Sequence, residues 1–194
     1  MKLMFLRHGT TMENLERRFL GVTDSPLCEQ GIEDAKKAAK SIASVEHIYV
    51  SPMLRCKQTA NILWPDAEQT VIDELRETDF GPFEGKKHSE LMGNSFYSLW
   101  LENENAPELA GLLENTQNAA ARASVALCRI LEHGNLNGFQ TAGVVSHGGT
   151  IMSILSKHIT KGCREYYGWA MKNLGGCVAE TEHGTHNLHF VRDI

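Results

Sequence analysis

The chain predicts an α/β fold: a three-layer sandwich with a mostly parallel central sheet and helices on both faces. Three observations predict it. Short apolar runs alternate with amphipathic helical stretches, as in strand–helix–strand units. Two of those runs, Leu3-Met4-Phe5-Leu6 and Ala142-Gly143-Val144-Val145, are apolar without alternation, the pattern of strands covered on both faces. Each of the two then ends in a histidine followed by glycine, His8-Gly9 and His147-Gly148.

Taken in order, residues 2–6 form the first strand, and residues 10–25 are polar and irregular, with room for one short helical turn. A helix opens at Pro26-Leu27-Cys28-Glu29 and runs to about residue 44, with Leu27, Ala35, Ala38, Ala39 and Ile42 as its apolar stripe and acids in its first turns. Residues 47–50 form a second strand that Ser51-Pro52 breaks, and residues 53–63 a helix with Arg55 in its first turn. Residues 70–72 are a weaker third strand. The stretch 74–85 mixes carboxylates, aromatics and glycines and reads as loop rather than core. Residues 88–104 suggest short helices, and the whole chain reads as one domain, 1–194, with a lid-like insertion around 80–110. One long helix is expected over 109–133, followed by a turn at Gly134 and Gly138. After the strand at 141–146 come a helix at 150–158 and a terminal antiparallel hairpin of 177–181 and 187–191, turning near His183-Gly184.

Bulk properties narrow the function. A formal net charge of −5 argues against a nucleic-acid-binding surface. The five cysteines are scattered with no Cys-x-x-Cys pair, so neither a disulfide framework nor a zinc site is expected, and a reducing compartment fits. No segment reads as a membrane span or a signal peptide, and the expectation is a cytoplasmic protein without membrane contact. His183, His186 and His189 fall at a turn and on opposite faces of a strand, which predicts unrelated residues rather than a metal site.

The chemistry concentrates at strand ends. In a parallel sheet the C-terminal ends of strands share one edge, where open α/β folds bind ligands. His8, His147, Arg7 and Arg55 all fall at such ends. Two guanidinium forks and two imidazoles suit a dianionic phosphoryl group. One neutral imidazole could attack phosphorus, and a carboxylic acid on a loop could protonate the leaving alkoxide. Glu77, Asp79 and Glu84 are the candidates for that acid.

These residues resemble the histidine phosphatases, the phosphoglycerate-mutase-like superfamily. Leu6-Arg7-His8-Gly9-Thr10 with Asn14 is similar to its N-terminal signature, and Gly21, Asp24, Pro26-Leu27 and Gly31 to a second block. Ser51-Pro52-Met53-Leu54-Arg55, the loop of Glu77 with Phe80-Gly81 and Glu84-Gly85, and Ser146-His147-Gly148-Gly149 follow in the family's order. The resemblance implies that His8 is a nucleophile carrying a phosphohistidine and that Glu77 is the proton donor. It implies that Arg7, Arg55 and His147 hold the phosphoryl oxygens, with Asn14, Thr10, Gly21 and Gly148 in the phosphate-contacting set. Asp79 and Glu84 become surface groups. No metal and no cofactor is implied, and the partner is a small-molecule phosphate ester.

The chain departs from the family at Cys28, where a capping threonine is usual, and before the long helix, where Leu113-Glu114-Asn115-Thr116 replaces a Gly-Glu-Ser stretch. Its short length after the acid loop favours a phosphatase closest to the alpha-ribazole phosphatase type. The alternatives are a phosphoglycerate mutase, a fructose-2,6-bisphosphatase-like sugar-phosphate phosphatase and, from another class, a silent phospho-ligand-binding module. Phe96, Tyr97 and Trp100 are read as core rather than as a stacking surface, and Cys56 as a buried structural thiol.

Overall fold

The computed structural model describes residues 1–182 and 184–194; His183, expected at the last turn, lies outside them. Seven strands form one sheet in the order β3-β2-β4-β1-β6-β7-β5. They are β1 (Lys2–Arg7), β2 (His47–Val50), β3 (Gln69–Val71), β4 (Thr141–Ser146), β5 (Ile159–Lys161), β6 (Gly176–Thr181) and β7 (Leu188–Asp193). The pairs β1–β4, β2–β4, β2–β3 and β5–β7 are parallel, while β6 runs antiparallel to both β1 and β7. The expected α/β sandwich is therefore present. Strand β5, three residues parallel to β7 at the sheet edge, is too short to leave a periodic signal.

Successive side chains of a strand point to opposite faces, and each face has its own core. Leu3, Phe5, Tyr49, Ala142 and Val144 pack on one side with Ala123, Leu127, Ile130, Ile151 and Ile154. Those partners lie on the helices α6 (Thr116–Asn137) and α7 (Gly148–His158). Met4, Leu6, Ile48, Val50 and Val145 pack on the other side with Cys56, Ala60 and Leu63. Here the cover is α3 (Leu54–Leu63), flanked by α2 (Glu29–Ala39). Because helices cover both faces, these strands carry no polar alternation.

The remaining helices are short: α1 (Met12–Glu16), α4 (His88–Leu91) and α5 (Ser95–Glu102). Phe83, Leu91 and Tyr97 form a third cluster here, with Phe19, Phe80 and Trp100 packed against it. Part of the 74–85 stretch is thus core after all: Leu75 and Phe83 are buried in two tight 3-10 turns.

Two helix boundaries differ from expectation. The long helix begins seven residues late because Gly111 takes a left-handed φ of 78° and Asn115 supplies the cap, accepting from the Asn118 N–H. It then runs through Gly134, where a Cβ would sit 2.7 Å from the Met1 side chain, and stops at Gly138, φ 71°. Helix α2 is shorter than expected at both ends. Cys28 caps it, its sulfur 3.4 Å from the Gly31 N–H, and the last turn tightens as Lys40 N–H bonds the Lys37 carbonyl.

Gly31 carries α2 against the first strand's loop. A Cβ there would lie 2.1 Å from the Thr10 carbonyl oxygen, which accepts from the Cys28 N–H. Gly31→Ala should therefore destabilise the protein by about 1–3 kcal/mol, the usual penalty of overpacking, read as a lowered urea midpoint. An unchanged midpoint would mean that α2 shifts freely.

Candidate functional site

Parallel pairing of β1 with β4 aligns Arg7 with Ser146, so the residues that follow, His8 and His147, emerge side by side. Their ring centroids are 5.1 Å apart and both rings are buried. Arg55, fully buried at the start of α3, completes the group.

The hydrogen bonds set each ring's tautomer. His8 Nδ1 lies 2.7 Å from the Gly9 carbonyl, which can only accept, so Nδ1 carries the proton and Nε2 keeps its lone pair. His147 is opposite. Its Nδ1 accepts from Arg55 Nε at 3.3 Å, so Nε2 carries the proton and donates to Ser51 Oγ at 2.8 Å. Both nitrogens of His147 are thus engaged within the protein.

Burial, then the charge of Arg55, pulls the His8 pKa from 6.5 down to about 3, with Arg7 adding to the effect and the Gly9 bond opposing it. Burial, then His8 and Arg55, holds His147 well below 6.5. Both imidazoles are neutral at physiological pH. Burial also lowers both arginines, but a guanidinium stays charged. The Cys56 thiol, 3.5 Å from His147 Nε2, is pushed by burial up to about 12, so it stays protonated and packs as a small apolar group.

The two arginines are held differently. Arg55 donates from Nη1 to the Thr23 carbonyl at 2.8 Å and from Nη2 to the Gly21 carbonyl at 2.6 Å. Arg7 donates from Nη1 to the Met171 carbonyl at 2.9 Å, and its buried Nε has no partner among the described residues. Buried polar groups are seldom orphaned without reason; here the spare donors suit an anion.

Glu77 caps α7. Its carboxylate accepts from the N–H groups of Gly149 at 3.0 Å, Thr150 at 3.2 Å and Thr78 at 3.0 Å, and from the Thr150 hydroxyl at 3.3 Å. Gly149 is required for this approach, since a Cβ would come within 2.7 Å of Glu77 Oε1. The Gly148 N–H has no such partner among the described residues.

Asp79 and Glu84 are not free surface groups. Asp79 accepts from the Gly81 N–H. Glu84 accepts from the N–H groups of Gly21, Val22, Thr23 and Phe80. Gly21, expected among the phosphate contacts, is thereby committed on both sides, its N–H to Glu84 and its carbonyl to Arg55. A Cβ at 21 would fall 2.0 Å from the Thr78 carbonyl, so glycine is what lets this loop seat on the acid loop. Thr10 spends its carbonyl on Cys28 and leaves its hydroxyl without a partner among the described residues.

Several supporting residues carry no sequence signal of their own. Asn173 donates to the carbonyls of His8 at 3.0 Å and Gly9 at 3.3 Å and to Asn14 Oδ1 at 3.1 Å. Asn14 Oδ1 also accepts from the Thr11 N–H, which leaves the Asn14 amide nitrogen free to donate. Thr59 accepts from the Gly9 N–H at 2.9 Å and donates to the Arg55 carbonyl one turn back in α3 at 2.7 Å, tying the loop after β1 to that helix. The polar run Lys172-Asn173-Leu174-Gly175 before a strand was the only hint of Asn173.

Two cavities flank the group. One, of about 230 Å³, opens beside Glu77 and is walled by Phe19, Phe80, Trp100 and Tyr166 together with Glu104. Trp100 therefore serves both the aromatic cluster and a cavity wall, whereas Tyr97 is buried and Phe96 points to solvent. The other, of about 390 Å³, is lined by Arg7, Asn14 and Asn173 on its inner side. Glu114, in the segment that departs from the family, reaches the first cavity but is paired with Arg122 at 2.7 Å. Among the described residues no helix is long and apolar enough to cross a membrane.

Comparison with known proteins matches residues 3–194 to the family model described as "Histidine phosphatase superfamily (branch 1)". The chain is 29% identical over 166 residues to the adenosylcobalamin/alpha-ribazole phosphatase of Escherichia coli K12, covering 82% of this chain and 79% of that protein. It is 27% identical over 165 residues to a 2,3-bisphosphoglycerate-dependent phosphoglycerate mutase of Methylocella silvestris, covering 79% of each. In fold it resembles the crystal structure of an alpha-ribazole phosphatase from Shigella flexneri, with a TM-score of 0.85 at 22% identity, covering 99% of this chain and 95% of that one.

The depressed histidines make a prediction. Unfolded, each takes up a proton near pH 6.5; folded, His8 resists until about 3. Below 6.5 the unfolded chain binds more protons, so stability falls with pH between about 6.5 and 3, by up to about 1.4 kcal/mol per unit for each histidine. Urea titrations should show this decline from pH 7 to 5, and His8→Asn should make it shallower. An unaltered slope would show that His8 is protonated as readily folded as unfolded.

Proposed function

The chain belongs to the histidine phosphatase superfamily, and from that premise we propose that it is a metal-independent phosphomonoesterase working through a phosphohistidine at His8. The carrying observation is the Gly9 carbonyl on His8 Nδ1, which leaves Nε2 as a neutral nucleophile between two guanidinium groups.

Arg7 and Arg55, with the free Gly148 N–H and the Asn14 amide, hold the phosphoryl oxygens. His8 Nε2 attacks phosphorus, the ester P–O bond breaks, and Glu77 gives its proton to the departing alkoxide. Water then enters opposite His8. Glu77 takes its proton, the P–N bond breaks, and phosphate leaves with His8 neutral again. His147, bonded to both Arg55 and Ser51, orients Arg55 and comes to the phosphoryl group as the ester displaces one of those bonds.

The cavity beside Glu77 supports a phosphatase over a mutase. In-line attack sends the leaving alcohol toward the acid, into a space walled by aromatics and glutamates in which no arginine, lysine or histidine takes part among the described residues. A phosphoglycerate carboxylate would meet Glu77 and Glu104 there without a compensating cation. An uncharged or aromatic alcohol would instead stack on Trp100 and Phe80. The alpha-ribazole phosphatase relatives make alpha-ribazole 5′-phosphate, which carries an aromatic base, the first ester to test.

His8→Ala should abolish both turnover and acid-labile covalent labelling by a phosphoryl donor, and full retained activity would sink the proposal. Glu77→Gln should lower kcat by about 10²–10⁴-fold on alkyl phosphates and much less on p-nitrophenyl phosphate, whose leaving group needs no proton. Equal losses on both esters would remove Glu77 as the acid. With 3-phosphoglycerate the expected product is inorganic phosphate, formed slowly, rather than the isomer.

A further inference from the structure

The larger cavity is left unexplained by this mechanism. Beyond Arg7, Asn14 and Asn173 it continues to Arg17, Arg18 and His88, and among the described residues no carboxylate lines it. The three outer residues are not equivalent. Arg18 is committed: Nε bonds Glu16 at 2.6 Å, and Nη1 bonds the Gly85 carbonyl at 2.8 Å and Glu90 at 3.1 Å. His88 Nδ1 is 2.6 Å from the Tyr97 hydroxyl, which leaves Nε2 as the ring's spare nitrogen. The Arg17 backbone N–H bonds the Asn14 carbonyl at 3.2 Å, but its guanidinium makes no hydrogen bond or ion pair among the described residues.

Arg17 also sits where arginine is disfavoured. It closes α1 with φ 56° and ψ 44°, a left-handed position that glycine or asparagine normally takes. A long side chain there costs about 1 kcal/mol or more. Its guanidinium, without a partner among the described residues, stands over the outer part of the cavity with His88 Nε2, while the Asn14 amide and Arg7 on the inner side serve the phosphoryl position. A strained arginine without a carboxylate partner among the described residues and a spare imidazole nitrogen converge on one space.

We propose that this cavity is a second anion site, which takes a tetrahedral phosphate-type dianion alongside the phosphoryl group at His8, with Arg17 as its main ligand. The chemistry is the same whether the dianion is released inorganic phosphate or the phosphoryl group of a second ester molecule. In a protein of net charge −5 a cationic recess of this kind concentrates the substrate's charge class at the mouth of the reaction site.

Titration of the intact chain with inorganic phosphate at low ionic strength, followed by ³¹P NMR and calorimetry, should give two sites per chain. Arg17→Ala should weaken the outer one by about tenfold or more, as expected for one charge-assisted donor, and leave the inner one unchanged. Arg17→Gly suits the left-handed backbone, so it should fold at least as stably and still lose the outer site, while Arg17→Lys should keep part of it. One phosphate in the wild type, or two undiminished in Arg17→Gly, overturns the proposal. Repeating the titration with p-nitrophenyl phosphate on His8→Ala separates the sources. Two equivalents extend the site to the ester, and one restricts it to free phosphate. Because stoichiometry is the readout, a chain that binds two phosphates yet hydrolyses nothing would refute the phosphatase reading and leave this one standing.

Discussion

The register of β1 against β4 is the constraint from which the site follows. Arg7 pairs with Ser146, and one residue further each strand delivers an imidazole into the same buried space. A shift of one residue would turn Arg7 and His8 to the opposite faces of the sheet. The apolar residues behind them prevent it, since Leu3 and Phe5 fit one core and Met4 and Leu6 the other. Packing energy spread over two cores thus fixes the position of two polar side chains at the edge.

What the cores position, the hydrogen bonds then polarise. A buried histidine beside a buried arginine is costly if both are charged, and here the imidazoles give way. His8 is held neutral with its proton on the Gly9 side, which is the state a nucleophile needs. The arginines remain cationic because only the guanidinium resists deprotonation at such a place. Glu77 faces them from the head of α7, where the Gly149 and Thr150 N–H groups fix it. The site therefore sets two guanidinium groups and a carboxylate around the paired imidazoles, the arrangement that the proposed mechanism uses.

The strands that build this edge were legible in the sequence, because continuous apolar runs ending in Arg-His-Gly and Ser-His-Gly-Gly admit few other readings. So was the grouping of the candidate residues Arg7, His8, Arg55, Glu77 and His147, whose side chains the fold brings to one place. What escaped was everything defined by distance in three dimensions. Gly21 reads as a phosphate-approaching glycine, yet its partners are Arg55 and Glu84, 34 and 63 residues further along the chain. Asn173 and Ser51 are ordinary polar residues until the fold lays them against His8 and His147. The long helix was placed early because Leu109 and Leu113 match its period, although Gly111 between them takes a conformation no helix accepts.

The two cavities divide the charge around one phosphoryl position. On the Glu77 side lie aromatics and carboxylates, and on the Arg7 side lie arginines and amides, with Phe19 forming part of both walls. An ester that enters phosphate-first from the cationic side meets rising positive potential, and its uncharged end is then accommodated by the aromatic wall. An ester with a second anion on its alcohol is drawn instead toward the arginine-lined cavity, away from Glu77. On the proposed reading, selectivity for monoesters of uncharged alcohols would follow from the charge arrangement itself, before any contact with the alcohol is considered.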